Sequence, residues 1–118
     1  MRLLSRLLHR PTAAAAGWID AETLLAQLTA GSAPLVIDVR GPDEFTGPLG
    51  HIEGARNVPL PDLSASLQEL TGCDRPLVLV CKTDRRSSAA AEQLRAAGAA
   101  DVTVLRGGME RWRAHGLP

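Results

Sequence analysis

The residues best suited to chemistry lie in one short stretch that begins with a cysteine. Cys81 follows the branched apolar run 77–80 and precedes an Ala-rich segment of helical character. Between them lies a polar, basic loop made of Lys82, Thr83, Asp84, Arg85, Arg86 and Ser87. A thiol between a strand and a helix lies among free backbone N–H groups at the positive end of a helix dipole, which favour thiolate over thiol and attract anions. Cys81 is therefore predicted to be a nucleophile in an anion-binding loop.

Short strands and intervening helices are predicted to position this loop. Almost continuous apolar runs predict buried strands at 35–39, 77–80 and 102–105, with very short strands near 18–19 and 57–58. Apolar spacing predicts helices at 21–28, 63–70, 88–97 and 109–115, with a helical turn at 42–45. Ser87 or Ser88 is expected to cap the helix after the loop. The alternation predicts an α/β fold with a mostly parallel sheet and helices on both faces, in which ligands bind at the carboxyl ends of strands.

Composition and charge narrow the class of protein. The chain has 118 residues, 45% hydrophobic and 22% charged, which predicts one globular domain. The formal net charge is zero, so no overall field favours nucleic acid. Cys73 and Cys81 are interpreted as reduced thiols, with Cys73 incidental to function, which favours a cytoplasmic location. No run approaches the length of a membrane helix, and no Cys/His spacing suggests a metal, so neither metal nor cofactor is predicted.

The first sixteen residues form a separate basic and amphipathic extension in this interpretation, ahead of a domain at 17–118. Four leucines at positions 3, 4, 7 and 8 share one helical face, and three arginines at positions 2, 6 and 10 share another. Arg6 interrupts the apolar run that a secretory signal needs. A terminal helix that packs on the domain or frays is preferred, and the alternatives are a weak membrane-surface anchor at 1–10 and an organelle presequence.

Four motifs, in chain order, resemble those of the rhodanese domain family of sulfurtransferases. The resemblance extends over about 19–117, and its pieces are Asp38-Val39-Arg40 with Glu44-Phe45, the segment 50–59 beginning Gly-His-Ile, the loop 81–87, and Gly107-Gly108-Met109 with Trp112. It implies a single-domain protein with a three-layer rhodanese-like fold, built on a central sheet of about five short strands. It also implies that His51 is architectural and not catalytic. Asp38 and Arg40 are interpreted as structural from their own chemistry, because an Asp at a strand end can bind loop backbone N–H groups and Arg40 can pair with Glu44 or another carboxylate.

The resemblance implies a reaction for the loop. Cys81 would take a sulfane sulfur from a small anionic donor such as thiosulfate, or from another persulfide donor, and would pass it from a persulfide to cyanide or a thiol. Lys82, Arg85 and Arg86 would attract the donor, and backbone N–H groups would stabilise the terminal sulfur of the persulfide.

Two other functions stay open at this point. Phosphatases of related architecture carry Cys-x5-Arg, whereas Cys81 and Arg86 form the tighter Cys-x4-Arg, which suits one sulfur atom better than a phosphoryl group. A non-catalytic binding or regulatory module is the other alternative, and the presence of Cys81 argues against it. Two features depart from the family pattern. Asp84 stands where many such loops have Gly, and segment 46–49 is two residues longer than the commonest spacing, which is expected to enlarge a surface loop.

Overall fold

A five-stranded parallel sheet forms the centre of the molecule in the computed structural model, which describes residues 17–31 and 34–118. The predicted extension at 1–16, with its suggested membrane contact, lies outside the described residues. The strands are β1 (Trp18–Ile19), β2 (Leu35–Asp38), β3 (Arg56–Asn57), β4 (Leu77–Val80) and β5 (Val102–Leu105). They are ordered β1-β5-β4-β2-β3, and all neighbouring pairs are parallel. The predicted α/β class and parallel sheet are confirmed.

Helices cover both faces of this sheet. They are α1 (Ala21–Ala30), α2 (Pro42–Phe45), a 3₁₀ helix (Leu60–Ser66), α3 (Leu67–Thr71), α4 (Arg85–Ala96) and α5 (Gly108–Ala114). Because successive strand residues point to opposite faces, Leu79 packs with α3 and α4, whereas Val78 and Val80 pack with α1 and α5. The result is the three-layer arrangement expected from the sequence.

The register of the two central strands determines where the candidate loop lies. Asp38 pairs with Val80, so β2 and β4 end at the same level. The chain therefore leaves both strands at one edge, with Val39 and Cys81 side by side beyond it. Val39 N donates a hydrogen bond of 2.8 Å to Val80 O, which holds the two exits together.

Two helix predictions are corrected by the structure. The helix expected at 63–70 is a 3₁₀ helix followed by the short α3, because the backbone of Ser66, with φ −107° and ψ 0°, departs from α-helical geometry between them. Its apolar face nevertheless buries Leu63 and Leu70 as the spacing predicted. The helix after the loop begins at Arg85 with Asp84 as its N-cap residue, and not at a serine cap. Ser87 lies inside its first turn, where its side chain contacts the sulfur of Cys81.

Two further expectations concern the segment after α2 and the length of the helices. Segment 46–49 forms turns after α2. Among residues 17–31 and 34–118, no helix is long and apolar enough to cross a membrane.

Candidate active site

Cys81 occupies the carboxyl edge of the sheet, directly after β4, as the sequence predicted. Only Lys82, Thr83 and Asp84 separate it from the first residue of α4. Its side chain is completely buried, with 0% exposure, whereas the three residues that follow are exposed. The sulfur is thus enclosed, and the loop that encloses it faces solvent.

The first turn of α4 provides the polar contacts of the sulfur. The backbone N–H of Ser87 donates to Cys81 Sγ across 3.4 Å, and the Ser87 hydroxyl oxygen lies 3.2 Å from the same atom. Ser87 is itself fully buried. When the sulfur carries a negative charge, both groups act as donors at the positive end of the helix dipole. The structure therefore brings Ser87 to Cys81, and the arrangement can stabilise an anion on sulfur.

The carbonyl groups of the loop point towards α5. Met109 N donates to Cys81 O at 2.9 Å, and Glu110 N donates to Lys82 O at 3.0 Å. A Cβ atom on Gly108 would collide with the carbonyl oxygens of Cys81, Lys82 and Thr83, and Gly108 has a φ of +55°. Since the C=O and N–H of a trans peptide point in opposite directions, the following N–H groups of the loop point away from α5. Glycine at this position allows that orientation.

Arg86 is held by a carboxylate from a different element. Its Nη1 lies 2.6 Å from Glu44 Oε1, and its Nη2 lies 3.0 Å from Oε2, so the pair is bidentate. Gly41 N also donates to Glu44. The hydrogen bond from Arg86 is the main cause that lowers the pKa of Glu44 to about 2. The same hydrogen bond raises the pKa of Arg86, with smaller contributions from the nearby charges of Glu44, Cys81 and Asp38.

The other predicted loop residues are exposed. Lys82 Nζ lies 3.7 Å from Glu110 Oε2 on α5, and both side chains are about half exposed. Thr83, Asp84 and Arg85 are also exposed. Asp84 makes no side-chain hydrogen bond to the helix that it precedes. Of the predicted site residues, only Ser87 therefore hydrogen-bonds the sulfur, while the cations surround the loop at its surface.

Asp38 and Arg40 form a buried ion pair where the chain leaves β2. Arg40 Nη2 lies 2.8 Å from Asp38 Oδ2, and both side chains are 1% exposed. Arg40 also donates to the backbone carbonyls of Glu44 and Gly50 at 3.1 and 2.7 Å. His51 donates through Nδ1 to Phe45 O at 2.8 Å, and its ring stacks on Phe45. These contacts agree with the architectural roles expected for all three residues.

Sequence reasoning missed the two carboxylates that pair with loop cations. Arg40 was expected to pair with Glu44 or another carboxylate; it pairs with Asp38 and reaches only the backbone carbonyl of Glu44, whose carboxylate binds Arg86. Glu110 was not singled out. The topology could have indicated Glu44, because α2 follows β2 and therefore begins at the same edge of the sheet as the loop after β4. Among the residues that the structure describes, no group of three or more potential metal ligands occurs.

Comparison with known proteins identifies a family. The profile described as Rhodanese-like domain matches residues 20–115. Thiosulfate sulfurtransferase GlpE of Ectopseudomonas mendocina is 35% identical over 89 residues, which cover 75% of this chain and 79% of that protein. An uncharacterized protein of Bacillus subtilis, YqhL, is 44% identical over 77 residues, 65% of this chain, but the match spans only 59% of its length.

A solved structure supports the same assignment. The crystal structure of a rhodanese-related protein from Thermoplasma volcanium superimposes with a TM-score of 0.74 at 30% sequence identity. The superposition covers 85% of this chain and 93% of that one.

Proposed function

The chain belongs to the rhodanese-like domain family, and on that premise we propose that it is a sulfurtransferase that carries sulfane sulfur on Cys81. The donor is thiosulfate or another persulfide-type donor, and the acceptor is cyanide or a thiol. The proposed catalytic unit is the domain at 17–118, working in the reducing environment of the cytoplasm, where its two free cysteines stay reduced.

The proposed reaction has two displacement steps. The Cys81 thiolate attacks the outer sulfur of thiosulfate, a new S–S bond forms, and the S–S bond of thiosulfate breaks to release sulfite with the electron pair. The acceptor then attacks the outer sulfur of the Cys81 persulfide. That step breaks the persulfide bond and regenerates the Cys81 thiolate, so neither step needs an oxidant or a reductant.

The contact between Ser87 and Cys81 carries the proposal. One amide N–H and one hydroxyl from the same buried residue meet at the sulfur, 3.4 and 3.2 Å away. Fixed donors aimed at a site of negative charge stabilise a thiolate and, one bond further out, the terminal sulfur of a persulfide. The loop between Cys81 and α4 has only three residues, so its enclosure suits a single sulfur atom.

Intact-protein mass spectrometry tests this proposal. Incubation with thiosulfate should add about 32 Da, one sulfur atom, and the addition should disappear with cyanide or dithiothreitol. Cys81→Ser should show no addition and no turnover, whereas the matched variant Cys73→Ser should behave as the wild type. Absence of the addition from the wild-type protein would favour a non-catalytic binding module. Addition to a folded Cys81→Ser protein would place the sulfur elsewhere and refute the assignment.

A further inference from the structure

A groove of about 370 Å³ lies beside the candidate loop. It is lined by Arg40, Glu44, Pro48, Leu49, Lys82 and Glu110. Lys82 is the residue next to Cys81, and Glu44 holds Arg86, so the groove borders the loop directly. Its volume is near the lower end of the range for small-molecule sites, which limits an occupant to a small ligand.

Charges in the groove are balanced by close partners. Glu44 pairs with Arg86, and Lys82 pairs with Glu110. Arg40 pairs with the buried Asp38. Each charged side chain in the lining therefore has an opposite charge within 4 Å, and little net field remains to attract an anion.

One part of the lining of the groove is apolar and fixed. It consists of Pro48 and Leu49, and Leu49 packs partly against the core cluster of α1 and α5. Arg113 Nε donates to Leu49 O at 2.6 Å, and Gly50 N donates to Gly47 O at 2.9 Å. The apolar surface is thus held in place by the fold.

From this combination we propose that the groove binds the organic substituent of a small, uncharged thiol that accepts sulfur from Cys81. The proposal rests on the proposed sulfurtransferase function. The thiol first loses its proton to solvent, and its thiolate attacks the outer persulfide sulfur. The Cys81 persulfide bond breaks, and the products are an organic persulfide and the Cys81 thiolate. Pro48 and Leu49 contact the substituent, while cyanide, with two atoms, needs no such contact.

The test compares two acceptors with thiosulfate as the donor and sulfite release as the readout. The acceptors are phenylmethanethiol and cyanide, and the measured quantity is the ratio of their kcat/KM values. Leu49→Ala should lower this ratio about fivefold, because it removes part of an apolar contact with the substituent. Pro48→Glu, at an exposed position where folding is not threatened, should also lower it, because a carboxylate in place of the proline ring is a poor contact for the apolar substituent, whereas cyanide has no substituent to lose contact. Leu25→Ala is the matched control, since Leu25 packs partly against the same core cluster but does not line the groove.

The outcomes separate this proposal from the function on which it rests. A lower ratio in both groove variants, with the ratio unchanged in Leu25→Ala, supports the groove as the acceptor site. Equal losses with both acceptors, or an unchanged ratio in both groove variants, would overturn it. Failure of the wild-type protein to form the Cys81 persulfide would refute the sulfurtransferase function itself, and the acceptor site with it.

Discussion

Replacing Glu44 with Gln should destabilise the protein in a way that depends on pH, because this carboxylate pairs with Arg86 of the candidate loop. Gln keeps the size and one acceptor oxygen but removes the charge. The bidentate geometry, with distances of 2.6 and 3.0 Å, makes this pair stronger than an ordinary surface ion pair.

The pKa of Glu44 sets the size of the expected effect. The hydrogen bond from Arg86 lowers that pKa from 4.5 to about 2. Taken at full value, such a shift corresponds to about 3.4 kcal/mol of folding free energy. The side chains of Arg86 and Glu44 are 37% and 39% exposed, so solvent screens the pair, and about 1 kcal/mol is the expected contribution.

The direction of the pH dependence follows from the lowered pKa. A carboxyl group whose pKa is lower in the folded protein adds stability above its unfolded pKa of 4.5 and loses it as the pH falls towards about 2. The difference in unfolding free energy between the wild type and Glu44→Gln should therefore be largest near neutral pH and should shrink across this acid window. Urea unfolding followed by the fluorescence of Trp18 and Trp112 measures it at each pH.

A second Arg–carboxylate pair provides the control. Arg56 and Glu69 are also bidentate, and Arg56 lowers the pKa of Glu69, but their side chains are 41% and 63% exposed. Glu69→Gln should thus have a smaller effect on stability and none on sulfur transfer, whereas Glu44→Gln should slow transfer several-fold by releasing Arg86. Equal unfolding free energies for Glu44→Gln and the wild type, at neutral pH and throughout the acid window, would refute this reasoning.

Three further substitutions probe the loop. Gly108→Ala should lower the free energy of unfolding by about 3 kcal/mol or more, measured by thermal unfolding, and should abolish persulfide formation, because a Cβ there meets three loop carbonyls. Its control is Gly116→Ala, where φ is +70° and a Cβ meets open space. That variant should lose only about 1 kcal/mol and should leave sulfur transfer intact. Ser87→Ala removes the hydroxyl donor but keeps the backbone N–H, so persulfide formation in stopped-flow assays should slow about tenfold, and an unchanged rate would exclude a role for the hydroxyl. Asp84→Asn should lower the KM for thiosulfate about twofold at low ionic strength, because it removes a negative charge from the loop, and this decrease in KM should vanish in high salt. The control is Asp101→Asn, also at an exposed position but distant in the chain, which should not change the KM.

The sheet and the place of Cys81 could be predicted because both depend on short-range patterns. Short, mostly apolar runs mark β2, β4 and β5, and parallel strands joined by helices bring their carboxyl ends to one edge. The start of α4 could not be predicted in the same way. Asp84, Ser87 and Ser88 are all of residue types favoured as N-caps, so residue type alone does not select the first residue of α4.

Pairs between distant side chains were beyond prediction for a different reason. Glu44 and Arg86 are 42 positions apart, and the local sequence around either residue does not indicate that the other is its partner. Their contact depends on how α2 and α4 each leave the sheet edge. The partner of Arg40 could not be predicted either, because Asp38 and Glu44 both lie close to it in the sequence. In the structure Arg40 pairs with Asp38, and both side chains are buried.

The pairing of the loop cations changes what the loop can select. The sequence presents Lys82, Arg85 and Arg86 as three charges for a dianionic donor, but α5 and α2 each supply a carboxylate that balances one of them. Arg85 remains exposed beside the acidic Asp84. Attraction by net charge is therefore weak at this edge of the sheet, and salt should affect the KM for thiosulfate only modestly. Under the acceptor site proposed above, shape and apolar contact in the groove beside the loop, and not the number of loop cations, should decide which sulfur acceptor this protein prefers.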